Sequence, residues 1–177
     1  MSATLPTVDL RHARKDVQTV DAEGRSVRPV IDGVRVRPLA TLPDDRGTVC
    51  ELFDPAWGVH PDPLVYVYQV SIRPGAVKGW VVHRKQDDRI STLFGTIQVV
   101  LYDDREGSST RGMVNEMFFG EHNRALFTIP AGVYHAVRNV GTTDAVFVNM
   151  PTRPYDHADP DKYRLPLDND LIPFRWS

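Results

Sequence analysis

Short apolar segments separated by turn residues run through most of the chain. From residue 34 onward, runs rich in Val, Ile, Phe and Tyr alternate with Gly, Pro and Asp. This spacing is typical of the strands of a β-sandwich or β-barrel, and no segment has the length and period of a long helix. We therefore predict an all-β fold with strands at Val49–Phe53, Val65–Ile72, Val77–Val82, Ile90–Phe94, Ile97–Tyr102, Met113–Phe119, Ala125–Ile129, Val133–Val137 and Ala145–Asn149.

The two ends of the chain break this pattern. Residues 1–28 are polar and charged without sustained periodicity, which predicts an N-terminal arm that is disordered or ordered by a partner subunit. Residues 29–177 are expected to form the barrel and a C-terminal tail. The tail begins after Met150, where prolines and polar residues exclude a central strand. Its apolar residues at 171–176 are expected to anchor it against the barrel.

Composition narrows the classes of function. The 177 residues have the length of one domain, and the net charge of −2 gives no basic field, so neither nucleic acid nor an anionic membrane is an expected partner. No apolar run approaches the roughly 18 residues of a membrane span, and residues 1–15 lack the apolar centre of a secretion signal. The single cysteine, Cys50, excludes an intrachain disulfide. We expect a cytoplasmic protein.

Two histidines are the first candidates for chemistry. His83 and His135 each lie at a predicted strand beside a turn that contains glycine. Alternate residues of a strand point into a small barrel, so an inward His83 leaves Trp80 on the opposite face. A histidine that is merely packed and hydrogen-bonded in the interior remains an open alternative for either residue.

The spacing around these histidines resembles the two motifs of cupin barrels. In metal-binding cupins the first motif supplies His-x-His and an acidic residue, and the second supplies one more His. Here Val81 stands at the first His position and Asp88 at the acidic one. His83, Asp88 and His135 remain as a ligand set suited to Fe(II) or a similar divalent ion, and a site without its fourth ligand is equally consistent with an empty one. The positions that carry the motifs are Gly75, Val81, His83, Asp88, Gly95, Pro130, Gly132, His135 and Asn139.

A narrower resemblance covers nearly all of the chain after the arm. It is to the dTDP-4-dehydrorhamnose 3,5-epimerase family, and it implies a homodimeric cupin (jelly-roll) barrel that needs no cofactor. The interior of such a barrel receives a dTDP-linked 4-keto-6-deoxy sugar. The sequence segments that carry the resemblance are Asp45-Arg46-Gly47, Lys78-Gly79, Asp104-Arg105-x-x-Ser108, Ile129-Pro130-x-Gly132-x-x-His135, Tyr155, and Asp168-Asn169-Asp170 before Trp176.

The chemistry implied by this family defines the residue types to look for. Removing a proton beside a ketone needs a base, usually a His oriented by an Asp, a cation or donor for the enolate oxygen, and an acid that returns the proton on the other face. Tyr155 is a candidate for that acid or for stacking on thymine. Arg or Lys is expected on the diphosphate. The predicted substrate contacts are Arg46, Lys78, Trp80, Arg89 and Asn149, with Arg84 and Lys85 as weaker ones.

The chain also departs from the family pattern. The family base falls on Val81, the lysine that steadies the enolate falls near Asp88 or Arg89, and the tyrosine acid falls near Asn149. We therefore predict His83 or His135 as a displaced base, oriented by Asp168 or Asp170 from the tail.

Three hypotheses stay open at this point. The first is an epimerase of a nucleotide-linked keto sugar. The second is a metal-dependent cupin enzyme that uses His83, Asp88 and His135. The third is a barrel without catalysis that binds a sugar nucleotide.

Overall fold

The protein is an antiparallel β-barrel, seen in a computed structural model that describes residues 11 and 13–176. Within these residues there is no α-helix, and a 3-10 turn spans Pro55–Trp57. The strands in chain order are β1 (Val36–Pro38), β2 (Thr41–Asp44), β3 (Gly47–Cys50), β4 (Tyr68–Ile72), β5 (Val77–Val82), β6 (Asp88–Phe94), β7 (Thr96–Asp103), β8 (Val114–Gly120), β9 (Ala125–Ile129), β10 (Val133–Asn139), β11 (Ala145–Asn149) and β12 (Tyr163–Arg164).

Ten of these strands form two five-stranded sheets. The first sheet has the order β1-β9-β6-β11-β4, the second has the order β12-β5-β10-β7-β8, and β2 and β3 form a separate hairpin. The main apolar core draws side chains from both sheets, which shows that their inner faces pack against each other as in a jelly roll. Its buried members include Ile72, Ile90, Val99, Leu101, Phe119, Phe127, Val137 and Phe147.

The predicted all-β fold is confirmed, and three predicted strands have the observed bounds. These are β5, β9 and β11. Strands β6 and β10 are longer than predicted by two residues at one end, β7 is longer by one residue at each end, and β8 is shifted by one residue. The predicted strand at Val65–Ile72 begins only at Tyr68. The sequence pattern missed β1, β2 and β12, which are two to four residues long and lie at edges or in the separate hairpin.

Close contact between β5 and β10 brings the two candidate histidines to one place. Gly79 of β5 has no side chain, and a Cβ there would overlap Ala136 of β10. Gly132 precedes β10 with a φ of 83°, which glycine adopts readily, and its N–H donates to the carbonyl of His83 at 2.7 Å. These two glycines hold the end of β5 against the start of β10.

The C-terminal tail packs against the outer face of the second sheet. β12 extends this sheet by pairing with β5, and Leu165 N–H donates to the carbonyl of Trp80 at 3.2 Å. Ile172 is buried beside Trp80, and Phe174 and Trp176 pack against them. The tail therefore brings residues 159–164 beside the end of β5, where His83 lies.

The N-terminal arm is described only in part. The prediction for residues 1–10 and 12 falls outside the described residues. Residues 13–28 are largely exposed but contain a turn closed by a bridge between Val20 and Ser26. No helix in the described part of the chain has the length and apolar character needed to cross a membrane.

Candidate functional site

Two histidines and an aspartate meet at one end of the barrel. His83 directly follows β5, Asp88 begins β6, and His135 lies in β10 opposite Val81 of β5. Oδ2 of Asp88 lies 3.4 Å from Nε2 of His83 and 3.5 Å from Nε2 of His135. All three residues are buried. The structure thus brings together three residues from both sheets that the sequence pattern selected.

The C-terminal tail fixes the orientation of His83. The backbone carbonyl of Asp161 accepts a hydrogen bond from Nδ1 of His83. The Asp161 carboxylate accepts from the backbone N–H groups of Arg84, Lys85 and Gln86 at 2.9, 2.7 and 3.2 Å. A carbonyl can only accept, so the neutral ring carries its proton on Nδ1 and leaves the Nε2 lone pair facing Asp88.

The pKa values of His83, His135 and Asp88 are shifted in different directions because their surroundings differ. Burial alone would lower the pKa of His83, but the hydrogen bond and charge of Asp88, together with Asp161, outweigh burial and raise it. Burial lowers the pKa of His135 to about 4, against the attraction of Asp88. Burial would raise the pKa of Asp88, but both histidines act against it and the net shift is downward. His135 is therefore neutral at neutral pH, and the pKa of His83 is the higher of the two.

A cavity of about 620 Å³ opens beside His83. Tyr68 enters it from β4 in the first sheet, whereas His83 enters it from the end of β5 in the second. Nδ2 of Asn149 in β11 donates to the hydroxyl of Tyr68 at 2.9 Å. The cavity thus has side chains of both sheets in its wall, and the tail supplies most of the rest. Its lining residues are Tyr66, Tyr68, His83, Lys85, Gln86, Pro151, Arg153, Pro154, Tyr155, Asp156, His157, Asp159, Asp161 and Lys162.

The cavity also contains cations that the sequence analysis did not select. Lys162 and Arg153 lie in its wall, and their side chains form no hydrogen bond or ion pair within residues 11 and 13–176. Lys162 is largely exposed, but partial burial of its ammonium lowers its pKa. The positive charges of Arg164 and Lys78 also lower this pKa, whereas the negative charge of Asp88 raises it. Lys85, a predicted weaker contact, also lines the cavity and pairs with Asp159 at 3.2 Å.

Tyr155 and Asn149 are the other predicted residues that lie at or beside the cavity. Tyr155 is exposed in the cavity wall, and its ring contacts His157 edge-on with the centroids 4.9 Å apart. Asn149 is buried behind Tyr68.

Two predicted residues of the tail lie elsewhere. Asp168 is exposed, and Asp170 is exposed with its carboxylate 2.6 Å from Arg175. Neither lines the cavity, so the structure does not place them where they could orient His83. Asp161, seven residues before Asp168, occupies that position instead.

Four other predicted substrate contacts, Arg46, Lys78, Trp80 and Arg84, lie away from the cavity. Arg46 is exposed on the β2–β3 hairpin and pairs with Asp44 at 2.6 Å, and Lys78 is exposed on β5. Trp80 is fully buried on the outer face between the sheet and Phe174. Arg84 is exposed and lies over the ring of Tyr163 at 4.7 Å.

Arg89 is fully buried and is fully engaged with the backbone. Its guanidinium donates to four carbonyls at 2.7–3.2 Å, those of Asp62, Pro63, Met150 and Pro151. These bonds tie the loop before β4 to the segment after β11. Four of the five N–H donors of Arg89 are used in this way, and the buried side chain is not part of the cavity wall.

The ligand set predicted for a metal fits the geometry. The donor atoms of His83, Asp88 and His135 lie within 4.8 Å of one another. A ligating imidazole usually donates its other N–H to a carbonyl or carboxylate, and Nδ1 of His83 does so to Asp161. A bound divalent ion would take Nε2 of both histidines and Oδ2 of Asp88, and it would supply Lewis-acid chemistry there.

Comparison with known proteins agrees with this fold. The family model described as dTDP-4-dehydrorhamnose 3,5-epimerase matches residues 29–176. The spore coat polysaccharide biosynthesis protein SpsL of Bacillus subtilis is 39% identical over 153 residues, covering 84% of this chain and 97% of SpsL. The probable low-salt glycan biosynthesis epimerase Agl13 of Haloferax volcanii is 37% identical over 151 residues, covering 84% and 96% of the two chains.

Solved structures show the same barrel. The dTDP sugar isomerase of Desulfovibrio desulfuricans G20 superposes with a TM-score of 0.77 at 28% identity, covering 82% of this chain and 92% of that one. The 3,5-epimerase RmlC of Legionella pneumophila, in complex with dTDP-4-keto-L-rhamnose, has a TM-score of 0.74 at 21% identity, covering 85% and 81%. The match to the family model over most of the chain shows that this protein belongs to the dTDP-4-dehydrorhamnose 3,5-epimerase family, a family of isomerases.

Proposed function

We propose that this protein epimerises a dTDP-linked 4-keto-6-deoxy sugar by removing the proton on a carbon next to the ketone. The observation that carries the proposal is the arrangement of His83 in the wall of the cavity. The Asp161 carbonyl fixes its tautomer, and its Nε2 lies 3.4 Å from the buried Asp88 carboxylate. The RmlC structure in complex with dTDP-4-keto-L-rhamnose supports this class of substrate.

His83 is the base in this scheme. Neutral His83 has its lone pair on Nε2, and this nitrogen takes the proton from carbon as the electron pair of the C–H bond moves toward the ketone oxygen. The charge of Asp88 stabilises the imidazolium that forms, as a buried aspartate does beside a catalytic histidine. His135 fits this role less well because it does not line the cavity and has a lowered pKa.

Lys162 and Arg153 are the cations that this chemistry requires. The enolate oxygen gains negative charge during proton removal, and an ammonium already placed near it lowers the barrier. Lys162 suits this role because it lies in the same wall and its charge interacts with Asp88. Arg153 has free donors at the cavity, and a guanidinium binds a diphosphate well.

Incorporation of solvent deuterium into the substrate tests the proposed function. The protein is incubated in D2O with dTDP-4-keto-6-deoxyglucose, and the mass of the sugar is followed by mass spectrometry. We expect a gain of deuterium well above the enzyme-free rate, together with a new epimer. His83→Gln, which keeps the size of the side chain but is no base, is expected to lose both. Binding of dTDP by this variant controls for its folding.

A metal-dependent reaction is the second candidate, favoured by the convergence of His83, Asp88 and His135. Metal analysis of the purified protein and the effect of a chelator separate it from the first. A divalent ion in a constant ratio to protein, with activity lost on chelation and restored by the ion, would favour the metal-dependent reaction. Full activity in metal-free protein would favour the base mechanism.

We also infer that the protein acts in the cytoplasm as a homodimer in carbohydrate biosynthesis. The names of SpsL and Agl13, which refer to polysaccharide and glycan biosynthesis, support the pathway class. Exposed apolar side chains on the edge strands β1 and β8, Val36 and Phe118, support a contact between subunits. Sedimentation analysis is expected to give twice the mass of one chain, and a monomer would contradict the dimer.

A further inference from the structure

Tyr68 presents an unused proton to the cavity from the sheet opposite His83. It lies in β4, and its side chain is on the same face as Val70 and Ile72, which pack in the core between the sheets. It lines the cavity that His83 also lines, but His83 follows β5 of the other sheet. A sugar ring held in the cavity would therefore have these two side chains on different sides.

Asn149 determines what the hydroxyl of Tyr68 can do. Asn149 lies opposite Tyr68 in the pairing of β11 with β4, and its Nδ2 donates to the hydroxyl oxygen at 2.9 Å. The hydroxyl therefore accepts from Asn149 and keeps its own proton for another partner. Within the part of the chain that the structure describes, no acceptor is bound to that O–H.

The surroundings also keep this hydroxyl protonated. Burial raises the pKa of Tyr68 to about 12, and the negative charge of Asp88 adds to the rise. A phenol in this state is a donor at all physiological pH values. It has the properties that the second half of an epimerisation requires, because that step returns a proton to the face from which none was taken.

We propose that Tyr68 is the catalytic acid that delivers the second proton to the substrate. The inference rests on the proposed function. In this step the Tyr68 O–H bond breaks and a new C–H bond forms at the enolate carbon, on the face opposite to His83. The electron pair of the enolate C=C bond forms this C–H bond, and the C=O bond of the ketone re-forms. The tyrosinate then takes a proton from water, and protonated His83 releases its own proton to water.

Tyr68→Phe separates the two proton transfers. The variant keeps the base, so the carbon next to the ketone should still exchange with solvent on the His83 side, within a few-fold of the wild-type rate. Formation of the inverted sugar should fall by at least about 100-fold, the usual contribution of a positioned acid. Tyr134→Phe makes the same change on the opposite face of β10 from His135, where Tyr134 packs against the cluster that contains Trp80 and Ile172. This control should keep both rates.

The measurement is exchange and inversion of dTDP-4-keto-6-deoxyglucose in D2O by wild type and both variants, with dTDP affinity as a check on folding. Retained exchange with lost inversion in Tyr68→Phe supports the proposal. Wild-type inversion in this variant, or equal loss of exchange and inversion with dTDP affinity intact, overturns it. Absence of exchange in the wild type overturns the proposed function itself, and the role of Tyr68 with it.

Discussion

The backbone carbonyl of Asp161 accepts a hydrogen bond from Nδ1 of His83, a residue 78 positions earlier in the sequence. The tail thus sets the tautomer of a histidine that lies at the end of a barrel strand. The carboxylate of the same aspartate binds three successive N–H groups of the loop after His83. One residue of the tail therefore fixes both the ring and the backbone that carries it.

Asp161→Asn tests this positioning role. The change leaves the backbone carbonyl in place but removes the charge that holds residues 84–86, so the imidazole should lose its fixed orientation. We expect kcat to fall by roughly 10-fold or more with a smaller change in KM, as for other groups that orient a functional histidine. The comparison is Asp168→Asn, at an exposed tail position, which should stay within about twofold of wild type. The reverse result would assign the orienting role to Asp168.

The dependence of kcat/KM on pH should report the base. His83 must be neutral to accept a proton, and Asp88 and Asp161 hold its pKa above the ordinary 6.5, while neutral His135 and the cation of Lys162 also face this region. Activity should therefore fall as the pH is lowered through a value above 6.5. A rate that stays constant down to pH values well below this would contradict His83 as the base.

Lys162→Met tests the cation assigned to the enolate. Methionine keeps much of the length of the side chain but has no charge to stabilise the developing oxyanion. We expect kcat for solvent exchange to fall by about 100-fold, with dTDP affinity nearly unchanged. Arg153→Met should instead weaken dTDP binding because Arg153 is the proposed diphosphate contact. An exchange rate near wild type in Lys162→Met would remove Lys162 from the mechanism.

Arg89→Met separates a structural role from a binding role. The substitution leaves buried carbonyls without their donor, and each such loss costs about 1–3 kcal/mol. We expect the free energy of unfolding, measured by urea denaturation, to fall by about 3 kcal/mol or more. Arg46→Met on the exposed hairpin should change it by less than about 0.5 kcal/mol. Unchanged stability with lost dTDP affinity would show that Arg89 contacts the ligand after all.

Local pattern was sufficient to predict most of the barrel strands, and the motifs selected three residues that the structure brings together. Apolar runs between turn residues gave β5, β9 and β11 with their observed bounds, and the resemblance to the two cupin motifs selected His83, Asp88 and His135. These features depend on residues close in sequence or on the regular alternation of a strand. Strands of two to four residues, such as β1 and β12, are too short to leave such a pattern.

The rest of the site depends on contacts that a local pattern does not contain. Asp161 acts on His83 through a backbone carbonyl, which every residue has, and from an irregular segment. The pairing of Tyr68 with Asn149 requires the register of β4 against β11. The one sequence signal for the cavity wall in the tail was Tyr155, an aromatic residue in a proline-rich segment. Arg89 was predicted to contact the substrate because it is a cation near the first motif, but its guanidinium binds backbone carbonyls instead.

The most direct test of the central claim is proton NMR of metal-analysed protein in D2O with dTDP-4-keto-6-deoxyglucose, following the signals at C3 and C5 of the sugar. Wild-type protein should remove at least one of these signals far faster than the enzyme-free solution does, and His83→Gln should not. Persistence of both signals with wild-type protein that binds dTDP, or equal loss with His83→Gln, would contradict proton abstraction by His83.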